Sequence, residues 1–195
     1  MATLSSFKEI QNSNLLRLVI TEGEENAAYT VRTRIYNEIG MPTRGSQIND
    51  GAMELILRED EYVRCKKRAL YLLSIADNNE KNLFQKLRAK GFCSEISGEV
   101  CREMVSLGYI NEDSQIERIV LREANGKLFG PRKIVANLAG KGYSLSKIKD
   151  AISTLSDNGE IDFQKNASLL LSRKLDEDAS EEERLAVLIK YGYKR

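Results

Sequence analysis

Apolar residues follow two patterns along this chain: short runs that favour strands near its start, and helical spacing from Glu61 onward. "LLRLVI" (Leu15 to Ile20) and "AAYTV" (Ala27 to Val31) suit strands, and "TEGEEN" between them has the glycine and polarity of a hairpin connection. A small β-hairpin is predicted there. "RIYNEIG" reads as a short helix stopped by Gly40, and Asn49 is placed to cap another running through "AMELILRED". Beyond Glu61 no segment reads as a strand. Ile96, Val100, Met104 and Leu107 share one helix face, as do Ile148, Ala151, Ile152 and Leu155. Short connections between such helices pack neighbours together as small bundles.

The helical part repeats itself. Gly91-Phe92, Gly142-Tyr143 and Gly192-Tyr193 lie 51 and then 50 residues apart, each four positions after a leucine: Leu87, Leu138 and Leu188. A glycine just past a helix takes the left-handed conformation, and the next residue folds back onto the third-from-last helical residue. These pairs therefore read as helix stops with an apolar clasp. Gly91 to Gly108 and Gly142 to Gly159 are both 17 residues, with Ile110 and Ile161 following. The predicted helices are 61–76, 80–90 and 94–107, then 112–125, 131–141 and 145–157, then 162–175 and 180–191, the last opened by a Ser180 and Glu183 capping box.

The predicted fold is mainly α: tandem three-helix, helix-turn-helix-like repeats forming an elongated curved array, after a small N-terminal α+β segment with a short β-hairpin. The expected divisions are 1–60 for that segment, 61–110 and 111–160 for two repeats, and 161–195 for a truncated third.

Composition narrows the chemistry. The chain has 195 residues, 30 basic against 29 acidic side chains, and no histidine, which removes the usual general base and nitrogen ligand together. Neither a catalytic residue nor a metal site nor a cofactor is expected, and the reading is of a protein that is not an enzyme. Cys65, Cys93 and Cys101 fall in helical stretches without paired Cys-x-x-Cys spacing, which suits reduced thiols in the cytoplasm. No apolar run approaches the roughly 20 residues of a membrane span, so a soluble monomer without a membrane partner is expected.

Charge is uneven along the chain. Residues 1–60 carry 6 basic and 9 acidic side chains, residues 61–150 carry 17 and 11, and the remainder 7 and 9. Within the positive stretch Lys86, Arg88, Lys90, Lys127, Arg132, Lys133 and Lys141 stand out as candidates for gripping a partner or phosphate; solubility alone is the competing role. "GMPTRGS" (Gly40 to Ser46) imitates a phosphate loop but lacks its lysine, and reads as a turn. "NGKLFGP" (Asn125 to Pro131) reads as a helix stop at Gly126 and a proline opening the next helix. Glu95, Glu99 and Glu103 form a carboxylate stripe expected to be a solvated face. The stripe also counts against the alternative of DNA binding by tandem helix-turn-helix-like units, because it would occupy the recognition helix.

"ALYLLSIADNNEKNLFQKLRAKGF" and "GYINEDSQIERIVLREANGKLFGPRKIVANLAGKGYS" resemble the first and second repeats of the RecX family of regulatory proteins, including the basic Gly-Pro-Arg-Lys link and the Lys-Gly-Tyr stop. The resemblance runs from about Arg68 to Arg195, and departs from the family at Ile116 and Glu117, where a Phe-Ala pair is usual. It implies a non-enzymatic modulator that lies along the groove of a RecA filament on single-stranded DNA and reduces ATP hydrolysis, strand exchange and co-protease activity. Its implied partners are RecA and, through the basic faces, single-stranded DNA. DNA repair and the SOS response are the implied setting.

Overall fold

The computed structural model describes residues 1–193; Lys194 and Arg195, at the end of the expected third repeat, lie outside the described residues. The chain divides into two compact units. The first comprises Met1–Ala76 and Leu83–Leu107, the second Asp77–Asn82 and the chain from Gly108 onward.

The first unit opens with an antiparallel sheet of β1 (Ala2–Glu9), β2 (Leu15–Glu22), β3 (Glu25–Arg32) and the short β4 (Gln47–Ile48), in the order β3-β2-β1-β4. The β2-β3 hairpin pairs Leu16 with Val31 and Ile20 with Ala27. Alternation buries Leu16, Leu18 and Ile20 on one face, where they join Leu4, Val31, Ile35 and Ile56. The sheet is thus larger than a hairpin. "ATLSSFKE" escapes a pattern reading because Leu4 is its one fully buried apolar residue and the pairing shifts register between Leu4 and Ser6.

Helix α1 (Thr33–Glu38) is followed by a left-handed Gly40. Asn49 caps α2 (Asp50–Ile75), its side chain accepting from the Ala52 N–H at 2.8 Å. The expected separate helix from residue 61 does not exist: α2 runs unbroken through 26 residues, since nothing between Leu57 and Tyr62 interrupts a helix. Its continuity lets one helix serve both the sheet and the first repeat. Ile56 joins the sheet core, Glu59 receives the Arg32 guanidinium through both carboxylate oxygens, and Asp60 accepts the Thr30 backbone N–H at 2.8 Å.

Farther along, α2 meets α4 (Ser94–Ser106) through the carboxylate stripe, which is not simply solvated. Arg58 reaches Glu95 at 3.0 Å and Glu99 at 2.9 Å, while Tyr62 and Lys66 both donate to Glu103. Arg58, Tyr62 and Lys66 at one-turn intervals on α2 meet Glu95, Glu99 and Glu103 at the same interval on α4. Burial raises the Glu103 pKa, but hydrogen bonds from Lys66 and Tyr62 outweigh it and leave the carboxyl below its usual range. Cys65 and Cys101 are buried and form no disulfide among the described residues, and burial pushes the Cys65 thiol up to about 12. Cys93 stands just outside the helix as the N-cap of α4, its sulfur accepting from Ile96.

Helix α3 (Glu80–Arg88) begins in the second unit and ends in the first. The second unit continues with α5 (Glu112–Leu121), a wide π-type turn (Arg122–Gly126), α6 (Pro131–Gly140), α7 (Leu145–Asp157), α8 (Phe163–Lys174) and α9 (Glu181–Tyr191). Ile116, Val120, Ile134, Leu138, Tyr143 and Ile148 form its main core. The helical run ends at Gly126, as expected, through the π-type turn; the left-handed residue beyond it is Leu128 at φ 56°, whose side chain is buried with Leu170 and Tyr193. Burial of a leucine supplies the apolar contacts that offset an unfavourable backbone. The Ser180 and Glu183 capping box opens α9.

Candidate partner-binding surface

The helix stops fix where the candidate cations lie. Gly91, Gly142 and Gly192 have φ of 91°, 89° and 88°. Tyr143 donates its N–H to the Leu138 carbonyl at 3.2 Å and Tyr193 to that of Leu188 at 2.9 Å, each aromatic lying in one apolar cluster with its leucine. Half-buried Phe92 differs, its carbonyl accepting the Arg88 guanidinium.

Two of the stops also receive hydrogen bonds from earlier segments of the second unit. Asn79, which caps the first turn of α3, donates its amide to the Lys141 carbonyl at 2.9 Å, and Asn82 adds a bond at 3.0 Å. Fifty-one residues after Asn79, the backbone N–H of Gly130 donates to the Tyr191 carbonyl at 2.8 Å, and that of Arg132 to Gly192 at 3.1 Å. A side-chain amide and a backbone amide thus make the same link. Below the first link Tyr143 donates to Gln115 at 2.9 Å and Gln115 to the Asn78 carbonyl at 3.3 Å; below the second Tyr193 donates to the Leu128 carbonyl at 3.2 Å. Burial, with the carboxylates of Asp77 and Glu112 nearby, raises the Tyr143 pKa and keeps its hydroxyl a donor.

These links sort the sequence-derived cations. Lys86, Arg88 and Lys90 are exposed in the first unit; Lys127, Arg132, Lys133 and Lys141 belong to the second, where only Lys133 is half-buried. Lys127 lies 3.4 Å from buried Glu123. Lys133 is committed to structure, with its ammonium 4.3 Å from the Phe129 ring centre, 5.2 Å from that of Tyr191, and 3.3 Å from the Lys190 carbonyl. Arg132, one residue away, is exposed.

Pro131 and Arg132 separate two apolar recesses. One, of about 530 Å³ between α6 and α7, has Val135 and Ile152 as apolar lining and Arg132, Lys149 and Ser153 as polar lining. The other, of about 600 Å³, is formed with Phe163, Ala167, Leu188 and Tyr193. Sequence reasoning missed Lys149. Its neighbours Ile148 and Ile152 mark a core face, and no local signal says that a lysine between them borders a recess. No group of His, Cys, Asp or Glu among the described residues is arranged to hold a metal ion, and no described helix is long and apolar enough to cross a membrane.

Known proteins supply the context. No family model matches the chain. A protein of Clostridioides difficile (strain 630) named regulatory protein RecX is 30% identical over 141 residues, 72% of this chain and 65% of that protein. One of the same name from Clostridium perfringens (strain 13 / Type A) is 24% identical over 190 residues, 95% of this chain and 88% of its own length. A crystal structure of regulatory protein RecX aligns with 100% of this chain and 95% of its own, with a TM-score of 0.73 at 18% identity. Over most of its length the chain is similar to proteins of the RecX family. RecX from Lactobacillus salivarius aligns with 69% of the chain at a TM-score of 0.58 and 23% identity, which speaks, like the first structure, for the fold. The chain spans 65%, 49% and 60% of the RecX proteins of C. difficile, Geobacillus thermodenitrificans (strain NG80-2) and Streptococcus uberis (strain ATCC BAA-854 / 0140J).

The helical-repeat fold of the family also bears on the DNA-binding alternative. Glu95, Glu99 and Glu103 are met by Arg58 and Lys66, so the repulsion expected of a bare acidic recognition helix is partly neutralised within the unit.

Proposed function

We propose that this chain binds a RecA-type filament on single-stranded DNA through the basic faces of its repeats, and lowers the filament's ATP hydrolysis, strand exchange and co-protease activity. It acts as a cytoplasmic monomer, without catalysis of its own, in the control of recombination and the SOS response. The repeats over 61–110, 111–160 and 161–195 are the binding modules, and single-stranded DNA is a further contact of the same basic faces.

One observation carries this reading beyond family likeness. Lys90 and Lys141, 51 residues apart, stand immediately before equivalent left-handed glycines, and both side chains are exposed. Cations displayed at one repeat interval suit a partner that is itself periodic, because each repeat then meets a chemically equivalent site. The test is a titration of the chain, at substoichiometric amounts, into RecA, single-stranded DNA and ATP. Phosphate release should fall and filaments shorten; unchanged hydrolysis contradicts the reading. Tight, sequence-dependent binding to duplex DNA without RecA would replace it with the helix-turn-helix alternative.

A further inference from the structure

Among the described residues, no carboxylate lines the two recesses beside Pro131 and Arg132. Val135 and Ile152 give the first an aliphatic surface, and Leu188 and Ala167 continue it beyond Pro131. Arg132 and Lys149 supply its charge.

The neighbouring cations are already committed. Lys127 pairs with Glu123, Lys147 pairs with Asp113 at 3.0 Å, and Lys133 is held over Phe129 and Tyr191. Arg132 and Lys149, by contrast, make no side-chain hydrogen bond or ion pair among the described residues. The surface therefore offers apolar area and two uncompensated positive charges together. Its complement presents apolar side chains flanked by negative charge.

We propose that this surface seats a segment of the filament protein that carries aliphatic side chains and carboxylates, an inference that rests on the function proposed above. Two features favour a peptide over nucleotide bases. The first recess is aliphatic, whereas bases are held by stacking on aromatic faces. The aromatic rings of the second are engaged with each other, Phe163 and Tyr193 meeting edge to face at 6.5 Å, and Tyr193 is buried in a core cluster. Recesses of this size accept several side chains, which turns a charge contact into a specific seat.

The test uses the full chain and RecA filaments assembled on single-stranded DNA. Co-sedimentation gives the affinity of the wild type and of Lys149→Glu, and a photo-cross-linking amino acid at exposed Ser153 reports what lies in the first recess. Lys149→Glu should bind about tenfold more weakly with an unchanged unfolding midpoint. The cross-link should enter a RecA peptide that contains Asp or Glu beside Leu, Ile or Val. If the wild type binds and Lys149→Glu binds equally well, the recess is not the seat and the proposed function stands without it. If the wild type does not bind filaments, the proposed function fails and this occupant with it. A cross-link into DNA, or an equal loss of affinity for naked single-stranded DNA, overturns the inference in favour of nucleic acid.

Discussion

Gly192 packs so closely on Lys133 that a Cβ at Gly192 would lie 2.4 Å from the Lys133 Cβ and 2.5 Å from its backbone nitrogen. Gly130 faces the same junction, where its own Cβ would lie 2.5 Å from the Gly192 carbonyl carbon. The final helix stop and the start of α6 therefore meet backbone to backbone, which only glycines allow at both points.

Substitution by alanine should rank these glycines. Gly142 is left-handed, but its nearest obstacle is the flexible end of Lys81 at 3.1 Å, so Gly142→Ala carries mainly the backbone cost of about 1 to 2 kcal/mol. Gly192→Ala adds an overlap with backbone, and should cost about 3 to 4 kcal/mol. Urea denaturation of the two variants checks the order. Equal destabilisation would mean that the junction gives way without loss.

The Arg32 to Glu59 pair ties the sheet to α2, with Glu59 only 2% exposed and Arg32 20% exposed. Replacing Glu59 by Ala leaves a half-sheltered guanidinium without its partner, and should destabilise the first unit by about 2 to 4 kcal/mol. The cation of Arg32 also lies 4.1 Å from the Tyr62 ring centre, so some attraction persists in the variant. Chemical denaturation followed by sheet-sensitive circular dichroism reads the loss.

Acid should loosen the contact of α2 with α4. The folded-state pKa of Glu103 lies below its ordinary value of 4.5, so the folded protein holds that proton less tightly than the unfolded chain. The stabilisation is complete above the unfolded pKa and disappears as pH falls through the lower folded one. Glu103→Gln should lower the denaturation midpoint near neutrality and flatten its fall on acidification. A variant whose midpoint keeps the wild-type acid slope would assign that slope to other groups.

Much of the repeat was legible because it is local. Gly91, Gly142 and Gly192 sit at helix ends that their own flanking residues define, and the Ser180 and Glu183 box lies within four residues. Contacts distant in sequence were not. Glu95, Glu99 and Glu103 look solvated until Arg58 and Lys66 arrive from about 40 residues upstream. Lys133 looks available until Tyr191 covers it. The stop at Gly126 was legible, but the left-handed Leu128 beyond it was not, because its distant burial partners and not its propensity select that conformation. Strand β1 depended on pairing with β2, which its own composition does not announce.

The central claim is that exposed cations of the repeats grip a RecA filament. Its most direct measurement is the ATPase activity of RecA on single-stranded DNA with the wild type and with a variant reversed at Lys90, Arg132 and Lys141. Lys133 is left intact because it supports α9. The account predicts that the wild type lowers hydrolysis, and that the variant loses about tenfold or more in inhibitory potency while keeping its helix content and unfolding midpoint. Full inhibition by the folded variant would contradict it.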